Sequence, residues 1–309
     1  MNPKPLVVSD YQNLKTFFDP QPHDLCTYSL PSVIVWSTHL FWPNYVTDGS
    51  SLVISYEYAS KFADKRHMIL PLSLDREFTP EKLFNIAGEL GFSQFKSIPE
   101  EYIDKHGREQ IEKFFKIEEQ TRMEDYVYLT EDLADLKGNR YSKKRNLINQ
   151  FIKEYVNKNR IETRLITRTD SAECIDFLEK WCIERDCDSD PDEDLACEKQ
   201  AAINSLENIE SIGMKGLLIK IDGKISAFGI GSRINDNMGA LHFEKAFPNI
   251  KGLYQFLDRE CARTLFSEFK YINKESDMGM PGLAKAKQSY YPVMMVKSFG
   301  LKIRQDITI

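Results

Sequence analysis

Three stretches of this chain bring together residue types that move protons and hold anions. In residues 141–151, Lys144, Arg145 and Asn149 flank the apolar positions Leu147, Ile148 and Phe151, so cations and an amide stand at the edge of a helical stripe. In residues 241–254 a strand ends in the polar pair Glu244 and Lys245, a turn holds Pro248, Asn249, Lys251 and Gly252, and a helix begins at once. A helix N-terminus offers unpaired N–H groups and a partial positive charge, which suits a phosphate or pyrophosphate. Lys251 adds a full charge there, and Gly252 lets the backbone approach a ligand closely. Glu244 and Lys245 are expected either to do acid–base work or to form a charge pair, and His242 is as readily an inert strand residue.

The third stretch is residues 271–292. Asn273, Glu275 and Asp277 alternate at a strand end, which places them on one side. Gly279, Pro281 and Gly282 then turn into a short helix carrying Lys285, Lys287 and Ser289, which Pro292 stops. A polar strand end beside a glycine turn favours function over structure.

The elements that must position these groups follow from pattern. A helix is expected over residues 9–19, with strands near 52–56 and 68–72. Thr79 and Pro80 open a helix that Gly91 closes, a short helix spans 99–106, and a strand spans 126–129. A long helix is expected over 142–157, then a strand at 161–166, a helix at 171–184, an acidic loop at 186–194 and a helix near 196–206. Strands at 214–221, 224–233 and 238–243 have hairpin spacing, and Asp222-Gly223 is a strong turn signal. A helix at 253–266, a strand at 271–273, a helix at 281–290 and one or two strands within 293–307 complete the chain. This mixed order argues for an α/β fold of the α+β, mixed-sheet kind, not a doubly wound parallel sheet. The expected division is residues 1–135 and 136–309, with the boundary near 133–138.

Composition narrows the classes. With 309 residues, 42% hydrophobic and 28% charged, the chain can bury a sizeable core, and its length favours two domains. The first apolar run, Leu6-Val7-Val8, is too short for a secretory signal, and no run approaches the roughly 18–20 apolar residues of a membrane helix. A cytoplasmic protein without an integral membrane segment is therefore expected. Of six cysteines only Cys182 and Cys187 have zinc-like spacing, with no histidine beside them, so free thiols and no metal are expected. The formal net charge is −6, but residues 137–168 hold ten Lys/Arg against Glu154 and Glu162, a local +8. Such a block serves an anionic ligand or forms a solvated helical face.

Taken together, residues 136–151 (LKGNRYSKKRNLINQF), 242–247 (HFEKAF) and 271–298 (YINKESDMGMPGLAKAKQSYYPVMMVKS) resemble the family of the phosphatidylglycerol lysyltransferase C-terminal domain and its stand-alone relatives. The last stretch keeps Asn273, Glu275, Asp277, Gly279, Gly282, Leu283, Lys287, Ser289, Tyr290 and Pro292 of the family pattern, and departs from it with Met278 for Leu and Ala284 for Arg. The resemblance implies a tandem GNAT-like acyl-CoA N-acyltransferase fold: two mixed αβ domains, the donor bound in the C-terminal one. The GNAT pyrophosphate loop then falls on residues 249–254, where Asn249 and Tyr254 replace the usual cation and small residue and Gly252 is kept. Tyr290 sits where a tyrosine often protonates the leaving thiolate.

The expected function is direct transfer of an acyl or aminoacyl group from acyl-CoA or aminoacyl-tRNA to an amine or hydroxyl of a small molecule, lipid or peptide. Glu244 is the expected base and Tyr290 the acid. Lys144, Arg145, Asn249, Lys251, Gly252, Lys285 and Lys287 are the expected donor contacts, and Asn149, Asn273, Glu275, Asp277 and Ser289 the expected substrate contacts. The alternatives are a soluble phosphatidylglycerol aminoacyltransferase and a catalytically silent module that binds coenzyme A or a nucleotide.

Overall fold

The computed structural model describes residues 2–185 and 194–306. The acidic loop expected at 186–194 falls almost wholly outside the described residues, as does Cys187. Among the described residues, none of the other five cysteines is in a disulfide.

Local chemistry explains the elements that matter. Helix Pro80–Leu90 starts where the Thr79 hydroxyl accepts from the Lys82 N–H at 3.3 Å, and ends at Gly91 in the left-handed region. Asp222 and Gly223 both have positive φ, 50° and 79°, the tight turn that matches strand twist between Lys215–Ile221 and Lys224–Asn235. Helix Ser142–Phe151 buries Ile148 and Phe151 and runs on as one π-helical turn, Ile152–Val156. Strands Phe41–Thr47, Gln94–Pro99 and Phe115–Glu119 and helix Leu30–Val35 lack a clean period in the sequence.

These elements build two mixed sheets. The first runs Lys4–Pro5, Phe41–Thr47, Ser51–Tyr58, His67–Met68, Gln94–Pro99, Ser298–Ile303, Phe115–Glu119, with Leu72–Ser73 paired to Ser51–Tyr58. The second runs Ile161–Leu165, Lys215–Ile221, Lys224–Asn235, Met238–Ala246, Tyr271–Asn273, Asp125–Leu129, Met294–Val296. Taken in this order the two sheets have the same topology. Each begins with three antiparallel pairings, makes one parallel pairing, and finishes with two antiparallel ones.

Each sheet also borrows its sixth strand. Ser298–Ile303, near the end of the chain, lies between Gln94–Pro99 and Phe115–Glu119. Asp125–Leu129 lies between Tyr271–Asn273 and Met294–Val296 in return. Pairing therefore crosses the expected boundary at 135/136 in both directions. The parallel steps match as well: Ser97, two residues past Phe95, has φ 53°, and Glu275, two past Asn273, has φ 59°. One face of the second sheet shares a core with the first half of the chain, and the other packs under helices Ser142–Phe151 and Leu253–Thr264.

Candidate functional site

The parallel pairing in the second sheet is short. Met238, Gly239 and Ala240 oppose Tyr271, Ile272 and Asn273, and no further pair follows. Between Leu241 and Phe243 the register against Ile230 and Gly231 shifts, leaving His242 as the extra residue of a bulge. Beyond it the strands part, at the carboxyl ends of a parallel pair, where open α/β sheets bind ligands.

A half-buried polar cluster lines the parting on the helical face. Glu244 from one strand meets Lys274 from the other, Oε2 to Nζ 2.7 Å, and the same ammonium lies 2.9 Å from Asp258 Oδ1 of helix Leu253–Thr264. Lys144 stands 3.7 Å above the centre of the Tyr290 ring and donates to Ser289 Oγ at 2.7 Å. Two buried tyrosines hold the short helix in place: Tyr128 donates to the Lys287 carbonyl at 2.9 Å and Tyr141 to the Tyr290 carbonyl at 3.0 Å. Lys287 turns its ammonium onto the Lys274 and Glu275 carbonyls.

The electrostatics follow from burial. Lost hydration and the Asp258 charge raise the Glu244 carboxyl above its ordinary range, against the pull of Lys274. Burial alone would lower the Lys274 ammonium, but Asp258 and Glu244 outweigh it and hold the amine charged. Burial, then Asp258 and Glu244, push the Tyr290 phenol well up, and burial lowers Lys144 and Lys287. Asp258 Oδ2 is buried and makes no hydrogen bond of ordinary geometry among the described residues, but a side-chain bond to Asp258 is among the causes that raise the Tyr290 phenol, so that hydroxyl lies within reach of it.

Of the residues singled out in the sequence, the structure gathers Glu244, Tyr290, Lys144, Ser289 and Lys287. The rest go elsewhere. Arg145 donates to the Leu136 and Gly138 carbonyls and so braces the preceding loop. Asn149, Asn249, Lys251 and Lys285 are exposed. Gly252 has φ 84°, and a Cβ there would overlap the Leu147 carbonyl, so helix contact alone explains the glycine. Five cations of the basic block are in ion pairs: Lys137–Asp135, Arg140–Asp132, Lys158–Glu154, Arg160–Asp222 and Arg164–Asp170.

The expected alternation of Asn273, Glu275 and Asp277 does not hold. The strand stops at Asn273, and positive φ at Glu275 and Met278 turns the chain, so the three side chains part. Asn273, fully buried, donates to Asp125 Oδ2 and the Asp24 carbonyl, both at 2.9 Å, and accepts the Glu275 N–H. Glu275 meets His242 Nδ1 at 2.7 Å. Asp277 accepts from the Tyr126 hydroxyl at 2.6 Å and caps the Gly279 N–H at 2.7 Å.

Sequence reasoning missed Lys274 and Asp258. Asp258 had a visible signal, since it sits in the buried stripe of its helix with Leu253, Leu257 and Cys261, where an acid needs a partner. Lys274 had none, being one lysine in a charged run.

Comparison with known proteins places these features. Residues 97–301 match the family described as "Phosphatidylglycerol lysyltransferase, C-terminal". An uncharacterised protein of Mycoplasmoides gallisepticum is 25% identical over 179 residues, covering 58% of this chain and 56% of that protein, so the chain spans little more than half the length of this curated relative. A solved protein of unknown function from Bacteroides thetaiotaomicron is 27% identical, with TM-score 0.88 over 98% of this chain and 100% of that one. The solved C-terminal domain of a putative lysylphosphatidylglycerol synthetase from Agrobacterium fabrum is 11% identical, with TM-score 0.62 over 95% of this chain and 91% of that one. Among the described residues no helix is long and apolar enough to cross a membrane. The fold is the expected mixed α/β one, its two sheets repeating one topology, and it matches that of the solved synthetase domain. With two thirds of its length matched, the chain belongs to the phosphatidylglycerol lysyltransferase C-terminal domain family.

Proposed function

We propose that this chain is a transferase that passes an aminoacyl or acyl group directly from its carrier to an amine or hydroxyl acceptor, in the parting of the second sheet. The observation that carries this reading is the convergence of Glu244, Lys274, Asp258, Lys144 and Tyr290 beyond the last parallel pair. Glu244, raised by burial, takes the proton of the acceptor as its nitrogen or oxygen bonds to the acyl carbon. Tyr290, a weak acid in its buried setting, gives its proton to the leaving oxygen or sulfur as the carrier bond breaks. Lys144 and Lys274 lie near the ring and offset charge that develops on the carbonyl oxygen.

The family description favours an aminoacyl donor over acyl-CoA. The Gly252 turn adds nothing for coenzyme A, because its contact with Leu147 already accounts for it. A lipid hydroxyl such as that of phosphatidylglycerol is the acceptor the family suggests.

The test is transfer from radiolabelled aminoacyl-tRNAs, and from acyl-CoAs, to phosphatidylglycerol vesicles and to soluble amines. Glu244→Gln and Tyr290→Phe are each expected to lower turnover by about 10²–10⁴-fold. Unchanged rates in both variants would sink the assignment.

A further inference from the structure

On the face of the second sheet turned away from Glu244, a second set of side chains forms an unbroken relay. Ser232 Oγ lies 2.7 Å from His242 Nε2, and His242 Nδ1 lies 2.7 Å from Glu275 Oε1. Ser29 Oγ, from the first half of the chain, lies 2.6 Å from Ser232 Oγ. For a neutral imidazole beside an ionised Glu275, the hydrogen-bond polarity follows from the groups themselves. A carboxylate oxygen only accepts, so Nδ1 carries the imidazole proton and Nε2 is left as an acceptor. Ser232 therefore donates to Nε2, and Ser29 donates to Ser232.

Three separate backbone features aim this set. Ser232 comes from strand Lys224–Asn235, His242 is the extra residue of the bulge, and Glu275 sits at φ 59° after the strand ends. The histidine side chain is 1% exposed, which keeps water from competing for either nitrogen. The bulge turns the histidine toward Glu275, which the left-handed step shared with Ser97 of the first sheet brings within reach.

The serine also has somewhere to act. It lines a cleft of about 390 Å³ with mixed walls: Tyr28, Leu30 and Phe266 are apolar, and Asp19, Arg233 and Glu268 bring charge. Pairing with Lys215–Ile221 ends at Lys215↔Gly231, so from Ser232 onward that edge of the strand has no partner strand. Backbone N–H groups along such an edge are available to a carbonyl oxygen that gains charge.

We propose that Ser232, His242 and Glu275 form a nucleophilic triad that cleaves carboxylic esters with a short apolar acyl group held in this cleft. The Ser232 oxygen attacks the ester carbonyl as its proton passes to His242 Nε2. The ester C–O bond breaks, His242 returns the proton to the departing alcohol, and the acyl group stays on Ser232. Water, losing a proton to His242, then releases the carboxylic acid and restores the serine. The balance is ester plus water to acid plus alcohol, with no other reactant. This activity is independent of Glu244 and Tyr290.

The experiment treats the 309-residue chain with a fluorophosphonate probe, locates the adduct by peptide mass spectrometry, and follows p-nitrophenyl butyrate hydrolysis. The expected result is one adduct, on Ser232, absent in Ser232→Ala, with esterase activity lost in parallel and retained in Glu244→Gln. His242→Gln is expected to slow labelling about 100-fold or more. Because that variant removes a buried partner and could fail to fold, Glu275→Gln serves beside it, with near-UV circular dichroism to verify packing and at least a tenfold loss expected. Absence of a Ser232 adduct on well-folded wild type, or labelling that ignores Glu275→Gln, would overturn the proposal.

Discussion

Lys274 bridges the parting of the second sheet to reach Glu244 at 2.7 Å, and the same ammonium holds Asp258 at 2.9 Å. One cation thus joins two strands and a helix while compensating the buried Asp258 and the half-buried Glu244. Removing one member of a buried pair leaves an uncompensated charge, at a cost of about 3–5 kcal/mol. Lys274→Met is expected to lose about that much in urea unfolding. Adding Glu244→Gln and Asp258→Asn to it should restore most of the loss, whereas equal stability of the single and triple variants would contradict the charge argument.

The same cluster sets the pH response of the proposed transfer. Burial and Asp258 raise Glu244, so the acid limb of the rate profile is expected above the ordinary carboxylate value of 4.5. Asp258→Asn removes a charge that raises Glu244 and should move that limb to lower pH. A limb that stays put, measured on kcat/KM, would show that Glu244 is not the titrating base.

Asp125 gives a prediction for stability alone. Burial raises its carboxyl to about 6, against the Cys26 N–H and Asn273 bonds that favour the anion. The folded state then holds the proton more tightly than the unfolded one, whose value is the ordinary 3.8. Its contribution is therefore fully present below about pH 4 and fades as pH rises to about 6, a loss of about 3 kcal/mol at most. Asp125→Asn keeps an acceptor for Cys26 and Asn273 and should flatten this slope, which urea midpoints at pH 4.5, 6 and 7 would measure.

Two glycines of the motif region are expected to behave in opposite ways. Gly252→Ala meets both a left-handed backbone and the Leu147 carbonyl, and should cost about 2 kcal/mol or more. Gly282→Ala meets nothing within 4 Å at a helix start, and should be neutral or stabilising by up to about 1 kcal/mol. Thermal melts of the two variants decide it. A loss of transfer activity in Gly282→Ala without loss of stability would mark substrate approach at that turn.

How much of this was legible beforehand depended on whether a signal was local. The Asp222-Gly223 hairpin, the Thr79 cap with its Gly91 stop, and the apolar stripe through Ile148 and Phe151 are all written within a few residues and appear as read. Glu244 and Tyr290 could be picked out by type and motif. Their meeting through Lys274 could not, because it depends on a helix laying Asp258 over a gap between strands. Arg145 and Lys251 were visible by type and motif, but where their side chains go, one onto loop carbonyls and the other to solvent, has no sign in the letters. The break in alternation after Asn273 was equally hidden, since a left-handed glutamate has no signature in the letters.

The loan of Ser298–Ile303 to the first sheet has a temporal consequence. A ribosome releases Phe115–Glu119 long before it makes the strand that must separate it from Gln94–Pro99. At about 5–20 residues per second, the intervening chain takes roughly 10–35 s to emerge. Throughout that interval the earlier sheet has two unsealed edges, so the nascent protein stays exposed to chaperones and to pairing errors until Ser298–Ile303 has emerged.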